Sequence, residues 1–165
     1  MWLKLRIALI QSNMSYTIVK AERADLEKIL DIQKRAFLSE ADIYGCCSVP
    51  PLSQTIEDIA EEFSGKIFLK ALEGRTVIGS VRASEKNGVC LVEKLIVEPR
   101  TQNKGIGRSL MLAVEKEFPA AKRFELVTGH KSIKNIHLYS SLGYNIVRQE
   151  KKTDTLELAH MAKDR

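Results

Sequence analysis

Residues 91–118 read LVEKLIVEPRTQNKGIGRSLMLAVEKEF: an apolar run, a basic turn with two glycines and an amphipathic segment in direct succession. The apolar run is rich in leucine and β-branched residues and predicts a buried strand, which Pro99 ends because proline has no N–H to donate. Apolar residues then recur every four positions from Ile106 to Phe118, and Pro119 stops the predicted helix. The helix is therefore predicted to begin at the two glycines.

The start of this helix is a predicted anion site. The first N–H groups of a helix lack helical partners and lie at the positive end of its dipole. Gly105 and Gly107 allow a phosphate to approach the backbone closely, and Arg100, Lys104 and Arg108 add positive charge. The turn therefore predicts a phosphate-bearing ligand.

Two common phosphate-binding patterns fit the turn poorly. The Walker pattern is absent from the sequence, because no Gly-Lys pair is followed by Ser or Thr. The dinucleotide pattern has its first two glycines but Leu110 in place of the third, although Glu125 lies near the usual distance for a ribose-binding acid. By itself, the turn leaves the ligand open.

Three segments together resemble the GNAT superfamily of N-acetyltransferases. Residues 102–107, QNKGIG, resemble the Q/R-x-x-G-x-G/A loop that binds the pyrophosphate of acetyl-CoA in that family. Residues 93–99, EKLIVEP, resemble the strand before the loop, and residues 138–144, LYSSLGY, resemble the downstream LYxxxGF segment. The matches follow the family's order over residues 91–144. The resemblance implies acetyl-CoA as co-substrate and transfer of its acetyl group to a primary amine of a small molecule, peptide or protein.

Composition is consistent with one soluble domain. The chain has 165 residues, of which 44% are hydrophobic and 28% charged. The formal net charge of +5 comes from scattered Lys and Arg residues rather than dense tracts, which suits a polyanionic cofactor better than nucleic acid. No stretch approaches the roughly 20 apolar residues of a membrane helix. We expect a cytoplasmic monomer or homodimer that binds neither nucleic acid nor membrane.

The cysteines bear on metal binding and cellular compartment, and the N-terminus bears on where the domain begins. Cys46, Cys47 and Cys90 show no zinc-ligand spacing with the histidines, so we expect reduced intracellular thiols and no metal site. Residues 1–13 are interpreted as an extension of uncertain structure, either an extra strand or a segment outside the fold. Their apolar patch is too short for a secretory signal and lacks a small-residue cleavage site. Residues 14–165 then form a single acetyltransferase-like domain.

The other periodicities predict a mixed α/β fold. Asn87-Gly88 predicts a tight turn between antiparallel strands, whereas the helix after Gly107 is long enough to connect parallel strands. The predicted class is a GNAT-like, mostly antiparallel sheet with helices on both faces and a splayed parallel strand pair in the centre. Besides the strand near Leu91, strands are predicted at residues 16–20, 66–72, 76–84, 123–128, 144–150 and 155–161, and other helices at residues 26–37, after Thr55, and between Ser132 and Gly143.

Two segments between these elements have alternative interpretations. Residues 39–53 predict a long loop, which either helps to shape the acceptor site, as in the family, or is an ordinary connection. A capping pair, Thr55 and Asp58, begins the second helix, with Glu61 and Glu62 among the outward acidic residues. That acidic face either attracts a cationic amine or is simply solvated.

The predicted reaction needs a base, a donor to the carbonyl and an acid for the departing thiolate. By resemblance, Tyr139 is the acid, although its position also suits a core aromatic. The carbonyl donor is expected to be a backbone N–H of residues 95–97, where splaying from residues 123–128 leaves ladder groups free.

Glu93 is the predicted base, because many family members carry a glutamate at this position. The strand pattern places it on one face with Leu91, Leu95 and Val97, where its carboxylate would be buried. A salt-bridged glutamate is the alternative, and His130 is the rival base, with water as a third option.

The resemblance also assigns the cofactor contacts. The family often has Asn seven residues before the tyrosine, where this chain has Ser132, so Asn135 is expected to contact the cofactor instead. The predicted cofactor residues are Leu95, Ile96, Val97, Gln102, Asn103, Lys104, Gly105, Ile106, Gly107, Arg108, Asn135 and Tyr139.

The function so predicted is direct acetyl transfer in a ternary complex, because the sequence offers no evident acyl-carrying nucleophile. Cys90 would serve in a covalent route, but a strand cysteine is more often part of the core. Two other functions stay open. A non-catalytic acyl-CoA-binding sensor or interaction module would bind without turnover, and a dinucleotide-binding oxidoreductase would need a doubly wound sheet, which the Asn87-Gly88 turn disfavours.

Overall fold

The computed structural model describes residues 15–45 and 49–165. The predictions for residues 1–13, Cys46 and Cys47 lie outside these ranges. Two 3₁₀ turns, Arg23–Asp25 and Pro99–Thr101, accompany the helices and strands. In chain order, the helices and strands are β1 Thr17–Lys20, α1 Leu26–Tyr44, α2 Pro50–Ser53, α3 Ile56–Gly65, β2 Ile67–Glu73, β3 Thr76–Lys86, β4 Val89–Val97, α4 Ile106–Glu117, β5 Arg123–Gly129, α5 Ile133–Ser141, β6 Asn145–Lys151 and β7 Glu157–Asp164.

The seven strands form one sheet in the order β1-β2-β3-β4-β5-β7-β6. All neighbours are antiparallel except β4 and β5, which α4 connects as a parallel pair. Asn87 and Gly88 form the β3–β4 turn with φ of 54° and 81°, the conformation that this residue pair favours in two-residue hairpins. The predicted mixed, mostly antiparallel fold is confirmed.

Helices cover both faces of the sheet and form two cores. On one face, Leu110 and Val114 of α4 pack with Tyr139 of α5 against β3, β4 and β5. On the other, Ile29 of α1 and Ile59 of α3 are buried with Phe68 and Ile96, among others. None of the helices within the described ranges is long and apolar enough to cross a bilayer.

β4 and β5 separate after a short region of pairing. Their ladder joins Val89 to Arg123, Cys90 to Phe124 and Leu91 to Glu125, and the pairing does not continue beyond Leu91. The second half of β4 therefore pairs with β3 alone, as the predicted splay requires.

A β-bulge divides β4 at Lys94. Arg82 of β3 lies opposite Glu93, but Ser80 lies opposite Ile96, so β4 has one extra residue over this interval. Lys94 takes up the irregularity with φ of 49°, in the left-handed region that β-carbon sterics disfavour.

Because of the bulge, the side chains of β4 share other faces than those predicted. One extra residue reverses the side-chain alternation, so Leu95 and Val97 pack on the α4 side with Val92. Glu93 instead contacts Lys66 on the side covered by α1 and α3. The prediction that Glu93 shares a face with Leu95 and Val97 is wrong, because it assumed a regular strand.

Two further predictions need correction. The predicted loop at residues 39–53 is partly helical: α1 continues to Tyr44, where Gly45 with φ of 60° ends it, and α2 lies beyond. The Thr55–Asp58 capping pair is confirmed. Glu62, however, does not lie on a solvated face, because buried Arg82 donates to its carboxylate at 3.0 Å.

Candidate functional site

The turn before α4 has the backbone geometry of an anion site. Gly105 is the N-cap residue with φ of 80°, and Asn103 is also left-handed, with φ of 62°. The Ser109 N–H donates to the Gly105 carbonyl at 3.0 Å, so the N–H groups of residues 106–108 precede the helical ladder. An added β-carbon at Gly107 would lie 3.4 Å from Leu138, so any longer side chain must extend into the space beside the turn.

Two side chains tie this turn to its neighbours. Arg108 donates from Nη1 to Ser141 Oγ of α5 at 3.1 Å. Gln102 donates from Nε2 to the Val97 carbonyl at 3.3 Å. The predicted phosphate turn is therefore held against both α5 and the end of β4.

A cavity of about 520 Å³ opens from this turn. It lies between the second half of β4, the start of α4, the start of α5 and the last turns of α1. Of the predicted cofactor residues, all except Lys104 and Tyr139 belong to its described lining: Leu95, Ile96, Val97, Gln102, Asn103, Gly105, Ile106, Gly107, Arg108 and Asn135.

The sequence interpretation missed the wall that α1 contributes. Phe37, at the end of the predicted helix, lines the cavity together with Glu40 and Ile43, which fall in the predicted loop at residues 39–53. Their spacing continues the three- and four-residue periodicity of α1, so this pattern was available in the sequence. The start of α5 adds lining residues that the site prediction did not include: Lys131, Ser132, Ile133, Lys134 and Leu138.

The second half of β4 offers a backbone donor to this cavity. The Glu98 N–H donates to the Ile78 carbonyl of β3 at 2.8 Å. Because N–H groups alternate in direction along a strand, the Val97 N–H points away from β3, toward the side from which β5 has separated. A carbonyl or amide in the cavity is thus offered a preoriented donor.

Tyr139 is buried and is not among the described residues that line the cavity, although Leu138 beside it is. Its side chain is 7% exposed, and its ring packs edge-on against Tyr144 with the ring centres 6.2 Å apart. Burial raises the pKa of Tyr139, and the charge of Glu40 raises it further, so the phenol holds its proton at neutral pH. No hydrogen bond joins its hydroxyl to a residue in the described ranges, so no other side chain there holds its proton.

Glu93 lies in a different environment from the one predicted. Its carboxylate contacts Lys66 Nζ at 2.5 Å, and the side chain is 25% exposed. It is not among the described residues that line the 520 Å³ cavity. The structure thus separates the predicted base from most of the predicted cofactor residues.

His130, the rival base, is oriented by the backbone. Its Nδ1 lies 2.8 Å from the Glu157 carbonyl, which can only accept, so Nδ1 carries a hydrogen and a neutral ring would have its lone pair on Nε2. The ring lies 6.0 Å from that of Tyr44. His130 is also outside the described cavity lining, although Lys131 and Ser132 beside it belong to that lining.

Three polar side chains meet on the cavity wall between α1 and α5. The Ser132 hydroxyl donates to one oxygen of Glu40, and Asn135 Nδ2 donates to the other at 3.3 Å. Ser132 stands at the N-cap position of α5, but the structure shows no capping hydrogen bond from its side chain.

A second cavity of about 490 Å³ lies between α2, α3 and the β4 bulge. Asp58, Glu61 and Glu62 line it together with Lys94. Burial lowers the pKa of Lys94, and the charge of Arg82 lowers it further. For Glu62, burial alone would raise the pKa, but Arg82 and Lys66 outweigh burial and the net shift is downward.

Cys90 belongs to the core. It is fully buried, and burial together with the charges of Glu85 and Glu115 raises the pKa of its thiol to about 12. Such a thiol is almost entirely protonated at neutral pH, which is unfavourable for a covalent acyl carrier.

Comparisons with known proteins agree with this architecture. UPF0157 protein YqkA of Bacillus subtilis (strain 168) is 26% identical over 132 residues, which are 80% of this chain and 38% of YqkA. The chain therefore spans well under half the length of that relative.

Two solved structures share the fold. One is the ribosomal-protein-S18-alanine N-acetyltransferase of Escherichia coli, with a TM-score of 0.76 and 18% identity over 90% of this chain and 93% of the other. The second is the phosphinothricin acetyltransferase (Pat) of Sinorhizobium meliloti in complex with AcCoA, with a TM-score of 0.76 and 24% identity over 92% of this chain and 89% of the other.

The family model for the acetyltransferase (GNAT) domain matches residues 48–165. That range includes the β4 bulge, the phosphate turn and the parallel strand pair. Since it covers well over half of the 165 residues, the chain belongs to the GNAT acetyltransferase family.

Proposed function

We propose that this protein is an N-acetyltransferase that moves an acetyl group from acetyl-CoA to a primary amine within a ternary complex. The amine belongs to a small molecule, a peptide or a protein. The observation that carries the proposal is the 520 Å³ cavity, which connects the glycine turn of α4 to the unpaired side of β4. A turn suited to phosphate and the outward Val97 N–H in one cavity suit a long ligand with a charged end and an amide-bearing arm.

The residues present fit acetyl-CoA. The N–H groups of residues 106–108 and the Arg108 guanidinium suit its pyrophosphate, and Gly107 leaves the space beside them open. Leu95 and Val97 present apolar side chains and backbone groups along the same cavity. Acetyl-CoA would supply the thioester whose carbonyl carbon the amine attacks.

Tyr139 is the proposed proton donor to the departing sulfur. Its hydroxyl has no partner in the described ranges, and its raised pKa keeps the proton in place until a thiolate forms. Glu93 is the base predicted from the sequence, with His130 as the rival, and neither lines the cavity in its described part.

Turnover is the direct test of the proposed function. Purified protein is incubated with acetyl-CoA and a panel of alkylamines, polyamines and peptides, and both free CoA thiol and acetylated product are measured. We expect amine-dependent CoA release with product in equal amount. Binding of acetyl-CoA without release on any amine would identify a binding module instead.

A pair of tyrosine variants tests the proposed acid. Tyr139→Phe keeps the ring and removes the hydroxyl, so we expect kcat to fall by about 10-fold or more while the Kd for acetyl-CoA stays within about twofold. Tyr144→Phe is the matched control, because its hydroxyl donates to Glu115 at 3.2 Å in the core. Equal kcat losses in both variants would indicate a packing role for Tyr139.

A further inference from the structure

Glu40 occupies an unusual position in the cavity. It lies in the last turns of α1, which packs on the Ile96 face of the sheet, yet its carboxylate contacts Ser132 and Asn135 at the start of α5. The side chain therefore joins two helices where β4 and β5 have separated. A ligand that follows β4 through this gap passes the carboxylate.

The charge of Glu40 opposes that of the other groups around it. Within the described lining, the remaining charged side chains are Arg108, Lys131 and Lys134, all of them cations that suit phosphates. A carboxylate among them repels a polyanionic ligand and attracts a cation. A carboxylate at this position is therefore favourable if a positively charged group enters the same cavity.

The carboxylate has acceptor capacity left for such a group. An ionised carboxylate offers about four lone-pair positions, of which Ser132 and Asn135 use two. Both hydrogen bonds fix its orientation without neutralising its charge. Asn135 precedes Tyr139 by four residues on α5, so the hydrogen bond from Asn135 holds the Glu40 carboxylate near the face of α5 that carries Tyr139. The charge of Glu40 accordingly contributes to the raised pKa of Tyr139.

We propose that Glu40 is a catalytic residue that receives a proton from the ammonium group of the acceptor. This inference rests on the acetyltransferase function proposed above. Glu40 takes one proton from the ammonium, and the neutral amine forms the C–N bond as the C–S bond breaks. The sulfur takes the Tyr139 proton, the phenolate recovers one from the new amide nitrogen, and Glu40 returns its proton to solvent. Glu93, held by Lys66 on the far side of the bulge, is left with a structural part.

Two acceptors separate a base from a merely structural glutamate. Glu40→Gln keeps the size of the side chain and removes its basicity. With an alkylamine that is charged at pH 7, we expect kcat/KM to fall by about 100-fold or more. With hydroxylamine or an arylamine, which is already neutral at that pH, we expect a loss of less than about fivefold, because no proton must be removed before attack.

The pH profile gives a second readout. Activity of Glu40→Gln on the alkylamine should recover in part at high pH, where the amine deprotonates without help. Affinity for acetyl-CoA should stay equal or rise slightly, since an anion has left the cavity. Glu27→Gln, which removes an exposed charge from the first turn of α1, is the control for nonspecific charge effects, and thermal melts of all variants check the fold.

Several outcomes would overturn the assignment. Equal losses on charged and neutral acceptors would make Glu40 structural. If Glu40→Gln kept full activity, the base would lie elsewhere. The rise in rate with pH would then disappear in either Glu93→Gln or His130→Gln, and the residue whose variant lost it would be the base. If the wild-type protein showed no turnover on any amine, the proposed function itself would be refuted. If the wild type were active and Glu40→Gln equally active, only the assignment of Glu40 as the base would be refuted.

Discussion

The two halves of β4 differ more than their similar sequences suggest. Residues 89–91 pair with β3 on one side and β5 on the other, and Cys90 is fully buried. Residues 95–97 line the cavity, and of these Ile96 and Val97 pair with β3 alone. We call these the closed half and the open half. One strand thus contributes to the core at its start and to a binding surface at its end.

The Lys94 bulge and the departure of β5 together produce this difference. An unpaired backbone N–H is costly when buried, so an open half is tolerable only where water or a ligand can reach it. The bulge also decides which side chains accompany those free groups, because it places Leu95 and Val97 beside α4 and the phosphate turn. A binding surface therefore arises without any change in strand composition.

The largest expected effect comes from blocking the ligand end of the open half. Gly107→Glu adds an anion at the start of α4, where a phosphate would otherwise meet free N–H groups. We expect acetyl-CoA affinity to fall by at least about 100-fold, measured by calorimetric titration. Gly107→Ala is the control, because its β-carbon makes only an ordinary contact at 3.4 Å with Leu138. Unchanged affinity in a folded Gly107→Glu protein would remove the turn from the ligand site.

The core position next to the closed half and a position in the open half should also respond differently to the same truncation. Val92, just beyond the closed half, is 4% exposed in the core, so Val92→Ala should lower the free energy of unfolding by about 2–3 kcal/mol with little effect on ligand affinity. Val97→Ala in the open half should cost about 1 kcal/mol or less and weaken acetyl-CoA binding instead. Urea unfolding and calorimetric titration of both variants measure this contrast. Identical profiles would mean that the distinction between the halves has no energetic meaning.

A smaller, pH-dependent effect concerns the junction between the halves. Arg82 lies opposite Glu93, the last regular pair before the bulge, and donates to Glu62 of α3. Because the pKa of Glu62 is lowered in the folded protein, the stabilisation is present above its ordinary pKa of 4.5 and is lost as the pH falls. Glu62→Gln should cost roughly 1–2 kcal/mol at pH 7.

The pH series supplies the check on that pair. The stability difference between wild type and Glu62→Gln should shrink as the pH falls below 4.5 and disappear below the lower pKa of the folded protein, where the wild-type carboxylate is neutral in both states. Glu61→Gln, with an exposed carboxylate on the same helix, should show little difference at either pH. If the stability difference between wild type and Glu62→Gln grew as the pH fell, the ion pair between Arg82 and Glu62 would not stabilise the protein.

Local patterns predicted much of this molecule from sequence. The Asn87-Gly88 turn and the phosphate turn with Gly105 both depend on residues that tolerate positive φ, so their sequences report their conformations directly. The parallel β4–β5 pair followed from the length of the α4 crossover. These features positioned most of the predicted cofactor residues around one cavity.

Other features were set by tertiary contacts that the sequence did not reveal. A lysine at a left-handed position gives no local indication of a bulge, so the predicted face of Glu93 was wrong. The end of α1 was predicted as a loop because Gly45 and the two prolines at residues 50–51 favour a break, although the helical period continues to Ile43. That error hid Glu40, whose partners on α5 are 92 and 95 positions away in the chain.

The smallest expected effect tests the bulge on which the comparison depends. In a regular strand, Gly is less stable than Ala by about 0.5–1 kcal/mol, because it loses more backbone entropy on folding. At φ of 49° the order should reverse, since a β-carbon in the left-handed region costs roughly 1–2 kcal/mol. We therefore expect Lys94→Gly to be more stable than Lys94→Ala by about 0.5–1 kcal/mol in urea unfolding. Both variants remove the same lysine side chain, so its partial burial and lowered pKa cancel in the comparison. If Lys94→Ala proved the more stable variant, β4 would be a regular strand in solution. Glu93 would then lie on one face with Leu95 and Val97, as the sequence pattern first predicted, and it would regain its place beside the cavity as the leading candidate for the base.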